Sequence, residues 1–175
     1  MRTPDAEVWG DTDLMTVIRQ LEPADWREWR ALRLRALGES PEAFGSTLDE
    51  VLARDTEEHW REGLSAPMVP FLAEIECAAA GMGRLLLPET AGESAELLSV
   101  WVAPEARGRG VGQVLVAAAV DWLSICLPET RLRLAVVEIN MPARRLYERC
   151  GFVVIGPDPE DEAELLMERP AALRV

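Results

Sequence analysis

The period of hydrophobic and polar positions changes several times along the chain, and each change predicts an element. Thr16–Leu21 (TVIRQL) is a short β-branched run closed by Glu22-Pro23, which predicts a strand. From Ala24 to Leu37, Trp26, Trp29, Leu32 and Ala36 fall on one side of a 3.6-residue repeat. Arg27, Arg30, Arg33 and Arg35 lie largely off that side, so the segment predicts an amphipathic helix stopped by Gly38 and Pro41. Turn chemistry from Ser40 to Thr47 encloses Phe44, and a helical stretch continues through Leu52. Another short helix should begin near Thr56, where a capping hydroxyl precedes Glu57 and Glu58. Pro67 and Pro70 bound an expected strand, Phe71–Ile75, that pairs as a hairpin with Ala79–Leu87 although no turn glycine lies between them.

The second half is more sharply patterned. Glu96–Val102 (ELLSVWV) is an apolar strand that runs through Ala103-Pro104 into RGRGVG and then a long helix, Val111–Leu123. Arg131–Ile139 is a second buried strand ending at Asn140. Pro142 just inside the next start and Gly151 past its end mark a helix that puts Ala143, Leu146, Tyr147 and Cys150 on one face. Strand, helices, three strands, helix, strand, helix and terminal strands predict an α/β (α+β) domain with a mixed sheet. With 175 residues the chain suits one domain, residues 15–175, behind a polar, aperiodic segment 1–14 read as a flexible N-terminal tail.

Charge and cysteine usage then remove function classes. All 18 basic residues are arginine against 31 acidic ones, a net charge of −13. Without lysine there is no Schiff-base amine and no P-loop phosphate lysine. The acidic balance argues against nucleic acid, whose binders need a basic stripe to displace counterions. No apolar run is long enough to span a bilayer and the start carries no leader pattern, so the expectation is a cytoplasmic protein without a membrane partner. Cys77, Cys126 and Cys150 read as reduced, mostly buried thiols, and the single His59 as a residue of a helix surface, so no metal site is expected.

Arg107-Gly108-Arg109-Gly110-Val111-Gly112 stands where a strand turns into a helix, the position at which unpaired amides and the helix dipole hold anions. Its alternative is a merely tight turn. A P-loop fails for want of lysine, and a dinucleotide fingerprint fails because Gln113 stands where glycine or alanine is needed. WVAPEARGRGVG (Trp101–Gly112), with Asn140 and LYERCGF (Leu146–Phe152) downstream, resembles the GNAT superfamily of acetyl-CoA-dependent N-acetyltransferases.

That resemblance implies a mostly antiparallel central sheet flanked by helices and splayed between the fourth and fifth strands, Glu96–Val102 and Arg131–Ile139. It implies that Arg107, Gly110 and Gly112 mark the pyrophosphate turn, that the amides of Gly108, Arg109, Gly110, Val111, Gly112 and Gln113 bind pyrophosphate, and that the edge Val100–Trp101–Val102 pairs with pantetheine. An amide around Val100–Trp101, freed at a bulge, would serve the oxyanion. Tyr147, the only tyrosine, would protonate the departing thiolate, and Asn140 would contact coenzyme A; a core aromatic is the alternative for Tyr147. A phenol of pKa ~10 can donate to a thiolate whose acid lies near ~8.5. Glu96 matches a position used as base through water, with an ordinary strand-end carboxylate as the alternative. Ala135 occupies the position where ribosomal-protein N-terminal acetyltransferases carry their glutamate, which argues against that branch.

The expected function is acetyl transfer from acetyl-CoA, without a metal, to the primary amine of a small molecule by direct attack through a tetrahedral intermediate. A peptide N-terminal acetyltransferase and a non-catalytic coenzyme A sensing module are the alternatives. Helices around Phe44, Trp29 and Trp60 are the expected acceptor wall, with plain core residues as the alternative for each, and a homodimer is left open.

Overall fold

The computed structural model describes Val8–Trp9 and residues 15–171. Its core is an eight-stranded sheet in the order β1-β2-β3-β4-β5-β6-β8-β7, antiparallel except where β5 meets β6. The strands are β1 (Val8–Trp9), β2 (Thr16–Gln20), β3 (Met68–Ile75), β4 (Ala78–Leu86), β5 (Ala95–Val102), β6 (Leu132–Val137), β7 (Val153–Pro157) and β8 (Glu164–Arg169). The helices are α1 (Trp26–Glu39), α2 (Leu48–Leu52), α3 (Glu57–Glu62), α4 (Val111–Cys126) and α5 (Met141–Arg149). Of the expected tail, Val8–Trp9 forms the edge strand against Thr16–Val17 and the rest lies outside the described residues.

Helix α4 lays Val111, Leu115, Val116, Ala119, Val120 and Leu123 on one face of the sheet, and all six are buried. Gly83 on β4 admits it: a Cβ there would stand 3.5 Å from both Leu115 and Val100. The opposite face is covered by α1, whose Trp29, Leu32, Ala36 and Leu37 are buried as the pattern predicted. Arg33 is also buried, contrary to its reading as an outward arginine, because it lies four residues after Trp29 and three before Ala36, on the face that α1 turns inward.

Pro70 lies inside β3 rather than at its boundary; β3 begins at Met68. The β3–β4 turn manages without glycine by placing both Glu76 and Cys77 at positive φ, 51° and 63°. Cys77 is consequently exposed and only Cys126 and Cys150 are half-buried, which corrects the expectation of mostly buried thiols; all three are free. No helix among the described residues is long and apolar enough to cross a membrane.

Candidate active site

The site is made by the separation of β5 from β6. Parallel pairing covers only Ala95↔Leu132 and Glu96↔Arg133, while both strands run on, to Val102 and Val137. The expected splay is therefore present between the Glu96–Val102 and Arg131–Ile139 segments. Inside β5 the ladder to β4 slips: Met82 faces Trp101, but Arg84 faces Leu98, so Ser99 and Val100 together oppose Gly83. This is a β-bulge, and Ser99 takes φ 58°, a left-handed conformation that costs a non-glycine residue about 1–2 kcal/mol.

The bulge reassigns the faces of β5. Glu96, Leu98 and Trp101 stand opposite Leu86, Arg84 and Met82, alternate residues of β4, and therefore share the face covered by α1. Ala103 N–H donates to Ala80 O at 2.9 Å. By alternation Trp101 bonds toward β4, and Val102 presents its N–H and C=O to the open edge. Arg107 Nε donates to that Val102 carbonyl at 3.0 Å, and Arg107 Nη2 to the buried Ser40 hydroxyl at 3.2 Å.

The open edge leads into a cleft of about 890 Å³. Among the expected residues it brings together Val100, Trp101, Val102, Arg107, Gly108, Gly110, Val111, Gly112, Gln113, Asn140 and Tyr147. Arg109 and Glu96 are exposed and do not line it. Gly108 and Gly110 take φ 76° and 81°, and a Cβ at either would meet open space, so their conformation and not crowding selects glycine. Gly110 is the N-cap of α4. Gly112 is needed for a different reason, since its Cβ would lie 3.0 Å from Leu146 on α5.

Residues 108–112 have no backbone acceptor for their amides among the described residues, and the amide of Gln113 already donates to Gly110 O at 3.0 Å. The cradle is main chain at a helix start, with the partial positive charge of α4 behind it.

Asn140 caps α5, its Oδ1 accepting from the Ala143 amide at 3.2 Å, which leaves the carboxamide NH₂ for another partner. Tyr147 lies on the inner side of α5, 8% exposed and edge-to-face with Phe152 at 5.9 Å. Burial, reinforced by the nearby Cys150, pushes its phenol far above the ordinary tyrosine range, so it is a proton donor at every physiological pH. Trp29 and Trp60 do not form the expected acceptor wall. They are core residues at 2% and 4% exposure, the Trp60 indole donating to Asp55 at 2.7 Å. Phe44 is partly buried beside the cleft-lining Ala43.

Sequence reasoning missed Ser40, the seat of Arg107, and the bulge residue Ser99. Neither carries a local signal, because one is fixed by a residue 67 positions away and the other by the β4 register.

The chain has relatives among known proteins. Residues 24–152 match the model of the Acetyltransferase (GNAT) family, and the chain belongs to that family. It is similar to a mycothiol acetyltransferase of Thermomonospora curvata, 36% identical over 144 residues that make 81% of this chain and 45% of that protein. The chain spans less than half the length of the mycothiol acetyltransferases it matches.

The fold is shared with a GNAT acetyltransferase of Streptococcus pneumoniae, at a TM-score of 0.74 and 24% identity over 90% of this chain and 99% of that one. It is also shared with the PaiA N-acetyltransferase of Thermoplasma acidophilum in complex with coenzyme A, at a TM-score of 0.70 and 18% identity over 89% and 98%.

Proposed function

We propose that the chain transfers acetyl from acetyl-CoA to the primary amine of a small molecule by direct attack. The observation that carries this reading is the single cleft joining the amide turn 108–112, the open edge of β5 and the Tyr147 phenol. The residues fit the coenzyme: glycines 108 and 110 leave open space beside unpaired amides, and the Val102 N–H lies on an edge free to accept an extended chain. Acetyl-CoA supplies an acyl group activated as a thioester. The amides of 108–112 hold its pyrophosphate, Arg107 braces the turn against Val102 and Ser40, and the Asn140 carboxamide contacts the pantetheine arm.

At the bulge the Val100 amide stabilises the negative oxygen that develops during attack. Tyr147 protonates the departing thiolate, its phenol being protonated at neutral pH before the thiolate forms. Glu96 shares the α1 face of β5 but lies outside the cleft, roughly 13 Å at strand rise from Val100, so as the base it would act through a relay of several waters. Relatives named for acetylating mycothiol support a non-protein acceptor.

The test is thiol release from acetyl-CoA with a panel of amines and peptides, followed by product mass. The reading predicts acetylated small amines. Coenzyme binding with no amine acetylated would replace it with the sensing module, and acetylated peptides alone would replace it with an N-terminal acetyltransferase.

A further inference from the structure

Two guanidinium groups lie between α1 and the sheet without a counter-ion. Arg19, Arg30, Arg35, Arg61, Arg131 and Arg133 each have a carboxylate oxygen within 4.0 Å. Arg33 and Arg84 have none among the described residues, although Arg33 is 8% exposed and Arg84 is half-buried. Arg33 Nη2 donates to Ser46 Oγ at 2.9 Å, and its guanidinium lies 4.3 Å over the Phe44 ring. Arg84 Nη1 donates to Gly63 O at 3.4 Å, 5.9 Å over Trp29.

These contacts leave Arg33 Nη1 and Arg84 Nε sealed from solvent without an acceptor. The Trp101 indole N–H, on the same face of the sheet under Arg35, is orphaned too. Burial and the charge of Arg84 lower Arg33 to about 10, which leaves both groups protonated at neutral pH.

Burying two like charges and three unpaired donors is unfavourable unless an anion completes the set. The place is informative. Arg84 faces Leu98, directly before the Ser99–Val100 bulge, and its β4 neighbour Met82 faces Trp101, which lines the cleft. Diagonal neighbours on such a ladder are about 7–8 Å apart, the length of a small amino-acid-like molecule.

We propose that Arg33 and Arg84 hold a carboxylate of the amine acceptor, with the Trp101 indole as a third donor, so that the substrate class is a small amine bearing a carboxylate. This rests on the acetyl-transfer reading and names the acceptor of the same site. A carboxylate has two oxygens for two guanidinium donors and is held in place while the amine end reaches the bulge.

The experiment compares kcat/KM for amines in matched pairs, each carboxylate against its primary amide, in the wild type, Arg33→Met and Arg84→Met. The expected result is a wild-type preference of at least 100-fold for the carboxylate, collapsing below fivefold in either variant through a rise in the acceptor KM, with partial return of the preference in Arg33→Lys. Equal wild-type use of both members overturns the proposal and leaves the acetyl-transfer reading standing.

A second arm does not need turnover: glutarate is titrated against tryptophan fluorescence. Saturable quenching that both Met variants abolish supports the anion site even if no amine is acetylated, and no saturable change in the wild type overturns it. Thermal melting separates binding from a structural role. Removing unpaired buried charge should raise the Tm of the Arg33→Met/Arg84→Met double variant by about 2–4 °C, whereas arginines kept for packing give a fall.

Discussion

Two regions of the molecule differ in how they would meet negative charge: the turn before α4, which lines the cleft, and the α1 side of the sheet, where Arg33 and Arg84 lie outside its lining. At the turn the groups proposed to hold the coenzyme are uncharged amides at the start of α4, and the adjacent Arg107 donates to a main-chain carbonyl and the Ser40 hydroxyl. On the α1 side Arg33 and Arg84 have no carboxylate oxygen within 4.0 Å among the described residues, in a protein of net charge −13. A main-chain cradle is set by φ angles and helix direction and serves any ligand carrying the pyrophosphate. A side-chain layer is set by long-range packing and is where selectivity among acceptors can reside. The division of labour follows from the chemistry: the acetyl donor is the same in every turnover, and the acceptor is what distinguishes one such enzyme from another.

Tyr147 belongs to neither region, so its loss should act on turnover and on neither binding step. Tyr147→Phe is expected to lower kcat about 10³-fold and to change acetyl-CoA affinity less than threefold by calorimetry; equal kcat removes the phenol from the mechanism. Next in size is a blow to the packing behind the cradle. Gly112→Val brings a branched side chain onto Leu146, where even a Cβ stands at 3.0 Å. Denaturant melts should show about 2 kcal/mol of lost stability, and no loss would mean that α5 can shift aside.

Asn140→Ala removes the α5 cap at a cost of about 1 kcal/mol, read as a Tm fall of several degrees. If Tm holds and only coenzyme affinity falls, the contact role alone survives. The smallest effect concerns a paired arginine. Arg30 Nε meets Asp55 at 2.6 Å, and Arg30 with the Trp60 indole holds the Asp55 carboxyl down at about 2. A carboxyl depressed in the folded state stabilises above its unfolded pKa near ~3.9 and loses that contribution as pH falls toward 2. Asp55→Asn should therefore flatten the acid limb of Tm against pH between about 4 and 2. Unchanged steepness there would show that the pair contributes nothing.

The same division explains what could be read from the chain. The cradle was legible because backbone geometry leaves glycines behind it: Gly108 and Gly110 exist for their positive φ, and Pro104 and the apolar α4 repeat locate the turn. The helix carrying Tyr147 was legible because Pro142 and Gly151 bracket it, whereas the roles of Tyr147 and Asn140 came from the resemblance alone. The amide of Gln113 donates to Gly110 O, a one-residue matter of helix phase that the sequence does not show.

The α1 side was not legible. Charge groups Arg33 with its exposed neighbours, although the helical repeat puts it between Trp29 and Ala36 on the inward face, and Arg84 comes from a strand 51 residues on. A bulge around Val100–Trp101 was implied by the resemblance alone, and its seat at Ser99 was missed, since a serine with positive φ has no local signature.

The central claim is that main-chain amides at the start of α4 hold the pyrophosphate of acetyl-CoA. Calorimetric titration of acetyl-CoA into Gly110→Asp and Gly110→Asn tests it most directly. Both residues tolerate positive φ and both cap helices, so the fold is kept and the two variants differ by one charge. The account predicts that Gly110→Asp binds about 100-fold more weakly than Gly110→Asn, about 2.7 kcal/mol. Equal affinities in the two variants would contradict it.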